Sequence, residues 1–231
     1  AGTVHTTQVY QNLLQKLKEK NVPTRVARKG QRYKLDSTVF VDVLAPRDPL
    51  ISGTKADLNN NSVVVRLTYD GFSMIFTGDA ELEGEVRLVE DGIPASNAIK
   101  VGHHGSRTSS SAPYLDMVKP QIAILSCEVG NDYGHPNAKT LTSLEGRAVK
   151  LFRTDQDGQV RLLTNGKEAW VKTFSRPSLT SQPPGGDLPP TRTEGPFKLR
   201  GVALEPGVQT PAPGPERPVA GTPESSSAPV T

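Results

Sequence analysis

The chain has 231 residues, a formal net charge of +3, and prolines that cluster toward its C-terminal end. Thirteen of the 20 prolines lie in 177–231, where Phe197 is the only aromatic residue. Such a segment has too few large apolar side chains to offset the entropy of ordering its backbone. We therefore expect a folded domain over 1–176 and a disordered tail over 177–231. The apolar cluster around Phe197 is interpreted as a chance feature of a linker, with a docking segment as the alternative.

Composition excludes several classes of protein. The charge permits a polyanionic ligand but does not predict one. Cys127 is the only cysteine, which excludes disulfide partners within the chain and a cysteine-based zinc site. Its apolar surroundings predict a buried, inert thiol. No run approaches the roughly 18 apolar residues of a membrane span, and no apolar signal segment follows Ala1. The compartment stays open, because a piece of a membrane protein would have the same composition.

The N-terminal half combines one amphipathic helix with alternating strands. Val9, Leu13 and Leu17 recur every four residues and predict a helix over 7–20. Strands are predicted over 38–44, 62–69 and 72–78, with a loop over 47–61. Asp70-Gly71 separates the last two strands and favours a type I′ hairpin turn.

In the rest of the predicted domain, helices alternate with strands. The predicted helices are 80–90, 112–118 and 137–145, and the predicted strands are 98–101, 121–127, 149–153, 159–163 and 169–174. This pattern is typical of a mixed β-sheet covered by helices, in the α/β or α+β class.

Three loops that follow strands carry polar residues suited to chemistry. Asp79 lies in TGDA, His103 and His104 lie in VGHHGS, and His135 lies in YGHP. Each has a structural interpretation when taken alone. Asp79 suits a helix N-cap, the histidine pair suits a glycine-rich surface turn, and His135 suits a solvated or capping position. The fourth histidine, His5, is expected to have no direct role.

Taken together, the three loops favour a metal site. Where strands run parallel, the loops after their carboxyl ends gather at one edge of the sheet. A carboxylate with imidazoles suits zinc or manganese. Adjacent side chains on an extended backbone point in opposite directions, so one of His103 and His104 is expected to reach a metal while the other packs or donates a proton.

The chain resembles the metallo-β-lactamase superfamily, in particular the metallo-hydrolase domain of ComEC-type DNA-uptake competence proteins. The resemblance runs from about Thr6 to Phe174 and rests on five segments in order: NNNSVVVRL, FSMIFTGDAE, IKVGHHGSRTSSS, YGHP and FRTDQDG. TGDA followed by VGHHGS and then YGHP is the specific part. The resemblance implies the C-terminal half of an αββα sandwich with a two-metal site at one edge.

The resemblance also implies roles for individual residues. Asp79 would bridge two divalent ions, zinc or manganese. His103, His104 and His135 would be metal ligands or the proton donor. His135 or His103 is favoured as a ligand and His104 as a ligand or the acid, while His103 and His104 are both candidate catalytic residues and the two roles stay unassigned. The implied substrate-binding residues are Ser106 and Arg107, where the arginine would pair with a phosphate. The implied supporting residues are Asn61 and Ser62.

One feature of the family is missing from this sequence. The first metal motif, HxHxDH or HxDxDH, has no counterpart, because the chain has no HxH, HxD or DH. We therefore expect about half of the ligands here and the two-metal site only in the complete domain. Such a half-domain would expose its sheet and favour dimerisation or aggregation.

The function that the resemblance implies is metal-dependent hydrolysis of phosphodiesters, with single-stranded DNA as the substrate during uptake. A membrane channel domain in the same parent chain is the expected partner, which would make the location membrane-associated or extracytoplasmic. Two alternatives stay open. One is a hydrolase of a small phosphoester such as a phosphocholine ester. The other is an inactive truncated module.

Overall fold

Residues 7–174 and 192–201 are described by the structure, a computed structural model. They form a seven-stranded sheet with helices on one face and a three-stranded sheet on the other. The helices are α1 Gln8–Glu19, α2 Asp57–Asn60, α3 Leu82–Glu90, α4 Ala112–Val118, α5 Ala138–Glu145 and α6 Thr154–Asp157. The strands are β1 Arg32–Lys34, β2 Val39–Ala45, β3 Val64–Tyr69, β4 Phe72–Phe76, β5 Ala98–Lys100, β6 Ile122–Leu125, β7 Lys150–Arg153, β8 Gln159–Thr164, β9 Glu168–Phe174 and β10 Arg192–Lys198.

The large sheet has the strand order β1-β2-β3-β4-β5-β6-β7. The first four strands pair antiparallel, and β4 to β7 pair parallel. This arrangement confirms the predicted mixed α/β class. The parallel half positions the site, because the carboxyl ends of β4, β5 and β6 lie at the same edge.

Two apolar clusters hold the layers together. In the first, Ile75, Ile99 and Leu125 of the sheet pack against the helices, where Leu115 and Leu144 are fully buried. The second lies between the two sheets and includes Phe72 and Phe152 of the large sheet with Ala169 and Val171 of β9. Both faces of the parallel strands are therefore covered, as parallel sheets require.

Most predicted elements are present, and the differences are local. Part of the predicted loop 47–61 is helical, because Asp57 accepts hydrogen bonds from Gly53 N and Thr54 N at the start of α2. The hairpin turn is not type I′, since Asp70 has a φ of 47° but Gly71 lacks the positive φ that this turn needs. Cys127 is only partly buried. The pKa of its thiol is raised to about 11, and burial is the largest cause.

The predicted disordered tail is wrong for residues 192–198. This segment forms β10 and pairs antiparallel with β9, with Phe197 opposite Ala169. Phe197 and Leu199 also pack against the cluster between the two sheets. The apolar residues interpreted as a chance cluster therefore complete a core. Residues 177–191 and 202–231 of the predicted tail lie outside the described residues.

Apolar surface is left exposed on one side of the described residues. Helix α1 has no buried residue, and Val9 is 80% and Leu13 52% exposed. On the large sheet, Phe76 is 38% exposed, and Val41 and Leu67 are only partly buried. The part of the large sheet formed by β2, β3 and β4 is therefore only partly covered among the described residues. No helix in the described ranges combines the length and apolar character needed to cross a membrane.

A buried carboxylate joins α3 to the segment after the histidine pair. Glu85 is 1% exposed and accepts hydrogen bonds from Ser110 N at 2.5 Å and Ser111 N at 2.7 Å. Burial raises its pKa, and the two N–H donors oppose that rise. Glu85 therefore fixes the start of α4 relative to α3.

Replacing Glu85 by alanine is expected to lower the free energy of unfolding by about 2–4 kcal/mol, because two backbone N–H groups lose their acceptor. The measurement is urea unfolding followed by fluorescence of Trp170, the only tryptophan. Glu90→Ala, at an exposed position of the same helix, is the control and should change stability little. Equal losses in the two variants would contradict the role assigned to Glu85.

The raised pKa of Glu85 predicts how the free energy of unfolding changes with pH. Because the folded-state pKa is raised, its contribution is fully present below the ordinary value of 4.5 and declines as pH rises. The unfolding free energy of the wild type relative to Glu85→Gln should therefore fall between pH 4.5 and neutrality. A rise over this range would mean that the two N–H donors outweigh burial.

Truncating Phe197 tests the strand found in the predicted tail. Phe197→Ala should lower the free energy of unfolding by about 1–3 kcal/mol, because the ring packs between the sheets. The control is Thr193→Ala in the same strand, at an exposed position. If both variants unfold like the wild type, β10 does not contribute to the core.

Candidate active site

Loops after three parallel strands bring the four predicted residues together. Asp79 follows β4, His103 and His104 follow β5, and His135 follows β6. His104 Nε2 lies 3.5 Å from Asp79 Oδ1, and the ring centroids of His103 and His135 are 5.7 Å apart. The side chains thus form one cluster at the carboxyl edge of the sheet.

The histidine pair lies in a tight 3-10 turn, Gly102–Gly105. His103 and His104 both have left-handed backbones, with φ of 42° and 53°, instead of the extended backbone expected from the sequence. Ser109 Oγ donates to the carbonyl oxygen of Gly102 and secures the start of the turn. Both rings can therefore point to the same edge, which an extended chain would not allow.

Contacts of His104 fix the proton on its ring. Its Nδ1 lies 2.7 Å from the carbonyl oxygen of Ser126. A carbonyl oxygen only accepts, so Nδ1 carries a proton, and in the neutral ring the lone pair is then on Nε2. That nitrogen is the one that faces Asp79.

His103 has a different neighbour, which sequence reasoning missed. Its Nδ1 lies 3.2 Å from Glu81 Oε1, although the two atoms are not aligned as a hydrogen bond. Glu81 Oε1 also accepts a hydrogen bond of 2.8 Å from Asn59 Nδ2. Glu81 directly follows TGDA and Asn59 opens the NNNS run, so both lay inside the motifs that the sequence analysis quoted.

His135 lies between aromatic rings. Tyr133 stacks on it with centroids 5.9 Å apart, and His103 meets it edge-on. Its Nδ1 is buried and has no hydrogen-bond partner. Burial, followed by the charges of His103 and His104, lowers the pKa of His135. The ring is not a helix cap, because the N-cap of α5 is Asn137.

Asp79 is held by its backbone and leaves its carboxylate free of a capping bond. Asp79 N donates to Ser62 Oγ at 3.2 Å. The N-cap residue of α3 is Glu81, so the capping interpretation of Asp79 is wrong. Gly78 has a φ of 56°, and a Cβ there would lie 3.1 Å from Ser62 Cβ. Glycine therefore permits the close approach that sets the position of Asp79.

The remaining predicted residues occupy three kinds of position. Asn61 bonds to the backbone of Ile51 at both N and O, and so shapes the loop before β3. Ser106 is buried, and its Oγ lies 2.9 Å from Thr108 Oγ. Arg107 is exposed next to the histidine turn. His5 lies outside the described residues.

The donor chemistry of the cluster fits part of a metal site. Within residues 7–174 and 192–201, no group of three His, Cys, Asp or Glu side chains is arranged to hold an ion. Two ligand atoms that share a tetrahedral ion with bonds of 2.0–2.2 Å lie about 3.4 Å apart. The 3.5 Å between His104 Nε2 and Asp79 Oδ1 matches that spacing. The pair therefore fits an ion that has further ligands.

Gly105, in the loop of His103 and His104, packs closely against Pro136, in the loop of His135. This packing can be tested by substitution. The φ of Gly105 is 80°, and a Cβ would lie 2.9 Å from both Leu125 Cδ1 and Pro136 Cβ. Gly105→Ala should lower the free energy of unfolding by about 2–4 kcal/mol, through backbone strain and collision. Gly130→Ala is the matched control, because Gly130 also has a positive φ but nothing within 4 Å. Equal losses in urea unfolding would contradict the packing argument.

Known proteins include several relatives of this chain, while no family model matches. The chain is 35% identical over 167 residues to ComE operon protein 3 of Bacillus subtilis, covering 71% of the chain and 20% of that protein. It is 34% identical to competence protein ComA of Neisseria gonorrhoeae, covering 57% and 18%. It is 32% identical to recombination protein 2 of Haemophilus influenzae, covering 52% and 15%. This chain is a homologue of competence-related proteins. It spans about a fifth of their length or less.

Among solved structures, a protein named a metal-dependent hydrolase from Parabacteroides distasonis has a TM-score of 0.42 and 14% identity to the chain. The match covers 61% of each chain.

Proposed function

We propose that the chain supplies part of a divalent metal site in a hydrolase of the metallo-β-lactamase superfamily, namely the ligands that follow the first metal motif in sequence order. The substrate would be a phosphodiester, with single-stranded DNA during uptake as the specific case. The observation that carries the proposal is the pairing of His104 Nε2 with Asp79 Oδ1 at ligand spacing. The names of the relatives, which refer to competence and recombination, favour DNA over other phosphodiesters.

The neighbours of the Nδ1 atoms distinguish the proposed roles of His103 and His104. The Ser126 carbonyl holds the Nδ1 proton of His104, and such an outer contact orients metal-ligating histidines in many sites. His104 and Asp79 are therefore the proposed ligands. His103 faces the Glu81 carboxylate and not Asp79, so it is the proposed proton donor to the leaving oxygen.

The bound ions, zinc or manganese, would polarise phosphoryl oxygens and supply hydroxide near neutral pH. The chain's own residues would position the substrate around them. Arg107, exposed beside the histidine turn, would pair with a phosphate. Ser106 would hold the turn from inside, because its carbonyl oxygen accepts from Thr140 Oγ at 2.7 Å. Further ligands would come from outside the described residues, and a membrane channel domain would deliver the strand.

A second candidate is a module without catalytic activity. The observation that favours it is the lack of a three-ligand group in the described residues. In that case, the three loops serve only to close the sheet edge. A small phosphoester such as a phosphocholine ester is the alternative substrate if hydrolysis is present.

Metal titration tests the proposed ligands. Zinc or manganese binding by the 231-residue chain should weaken at least about 10-fold in Asp79→Asn and in His104→Gln, because each removes one ligand. The control is Asp36→Asn, an exposed carboxylate away from the cluster. Isothermal calorimetry with chelator-treated protein gives the affinities. Equal affinity in all four proteins would contradict the ligand assignment.

The same substitutions, made in the complete parent protein that supplies the remaining ligands, separate the substrates. A labelled single-stranded oligonucleotide and a chromogenic phosphocholine ester are each incubated with manganese or with a chelator. Metal-dependent cleavage of DNA that Asp79→Asn abolishes supports the proposal. Cleavage of the phosphocholine ester alone supports the alternative substrate, and cleavage of neither supports the module without activity.

A further inference from the structure

We infer that Glu81, held by Asn59, is a positioning residue that fixes the tautomer and direction of His103. The inference deepens the proposed function and rests on it, since His103 is the proposed proton donor. It assigns a role to a carboxylate and to an asparagine that the resemblance does not mark as site residues.

The first observation is the surroundings of the His103 ring. Its Nδ1 atom is buried and makes no hydrogen bond, and Glu81 Oε1 lies 3.2 Å away. A buried donor without a partner is costly, so the proton is favoured on the nitrogen that faces the acceptor. Nε2 then carries the lone pair or the transferable proton.

A second observation is that Glu81 is itself fixed. Its side chain is 14% exposed, and the same Oε1 accepts a hydrogen bond of 2.8 Å from Asn59 Nδ2. Carboxylates that hold the outer nitrogen of a functional histidine are a common way to set its orientation. Asn59 therefore restricts the carboxylate to the position that meets His103.

The third observation explains why an Asn-Asn-Asn-Ser run precedes β3. Asn60 Oδ1 accepts from Gly84 N at 2.9 Å, and Asn60 Nδ2 donates to Glu83 Oε2 at 2.9 Å. Ser62 Oγ accepts from Asp79 N. Three residues of the run thus form hydrogen bonds with the segment from Asp79 to Gly84. Of these, Asn59 is bonded to Glu81, the carboxylate that faces His103.

Nitrogen NMR on ¹⁵N-histidine-labelled protein tests the inference without using activity. The chain has four histidines, and His103→Gln identifies the signals of His103. Two-bond correlations, recorded where the ring is neutral, should show the Nδ1–H tautomer in the wild type. Glu81→Gln should shift His103 toward Nε2–H, Asn59→Ala should shift it less, and Glu81→Asp should restore part of the wild-type pattern. Glu90→Gln, the same change at an exposed position at the far end of α3, is the control and should have no effect.

Activity and metal binding provide the second readout. Glu81→Gln should lower kcat about 10- to 100-fold, with little change in KM or metal affinity. An unchanged His103 tautomer in Glu81→Gln would overturn the inference. A loss of metal affinity as large as that in Asp79→Asn would also overturn it, because Glu81 would then be a ligand. If the wild type hydrolyses nothing, the proposed function fails, and the tautomer measurement alone decides the inference.

Discussion

The site depends on the parallel pairing of β4, β5 and β6. Three short strands in register place three loops at one edge, and each loop delivers one part of the cluster. The sheet alone does not bring the side chains together. The left-handed turn at His103 and His104 directs both rings to that edge, and the tight packing of Gly105 against Leu125 and Pro136 holds the turn beside the His135 loop.

Polar contacts also position the residues of the cluster. The carbonyl of Ser126 holds His104, the hydroxyl of Ser62 holds the backbone of Asp79, and Glu81 faces His103. Functional groups that are fixed in this way need little reorganisation when charge develops in a reaction. The Nδ1 atoms of His103 and His135 are both buried without a hydrogen-bond partner among the described residues, and that of His103 has a carboxylate 3.2 Å away. Hydrogen bonds therefore hold the His104 ring and the backbone of Asp79, whereas the buried nitrogens of the other two histidines have no hydrogen-bond partner.

Periodicity predicted the position of most elements, because apolar residues repeat with the period of the helix or the strand. α1 and β2 fall where expected, although no residue of α1 is buried. Two errors have physical causes. β10 was missed because proline-rich composition hid a strand whose Phe197 is buried by long-range pairing with β9. The histidine turn was predicted as extended because left-handed φ at a non-glycine residue is set by tertiary contacts.

For the site, the sequence predicted which loops would meet but not how the rings would divide their roles. His103 and His104 are equivalent by motif, and only the Ser126 carbonyl and the Glu81 carboxylate distinguish them. Glu81 was overlooked because a glutamate at a helix start is common.

The most direct test is a crystal structure of the zinc-loaded chain with anomalous diffraction at the zinc edge. The account predicts an anomalous peak within about 2.0–2.2 Å of both His104 Nε2 and Asp79 Oδ1. A peak at that distance from His103 or His135, with His104 and Asp79 uninvolved, would contradict the division of roles between the histidines. A loaded crystal without any peak at this edge of the sheet would contradict the metal site itself.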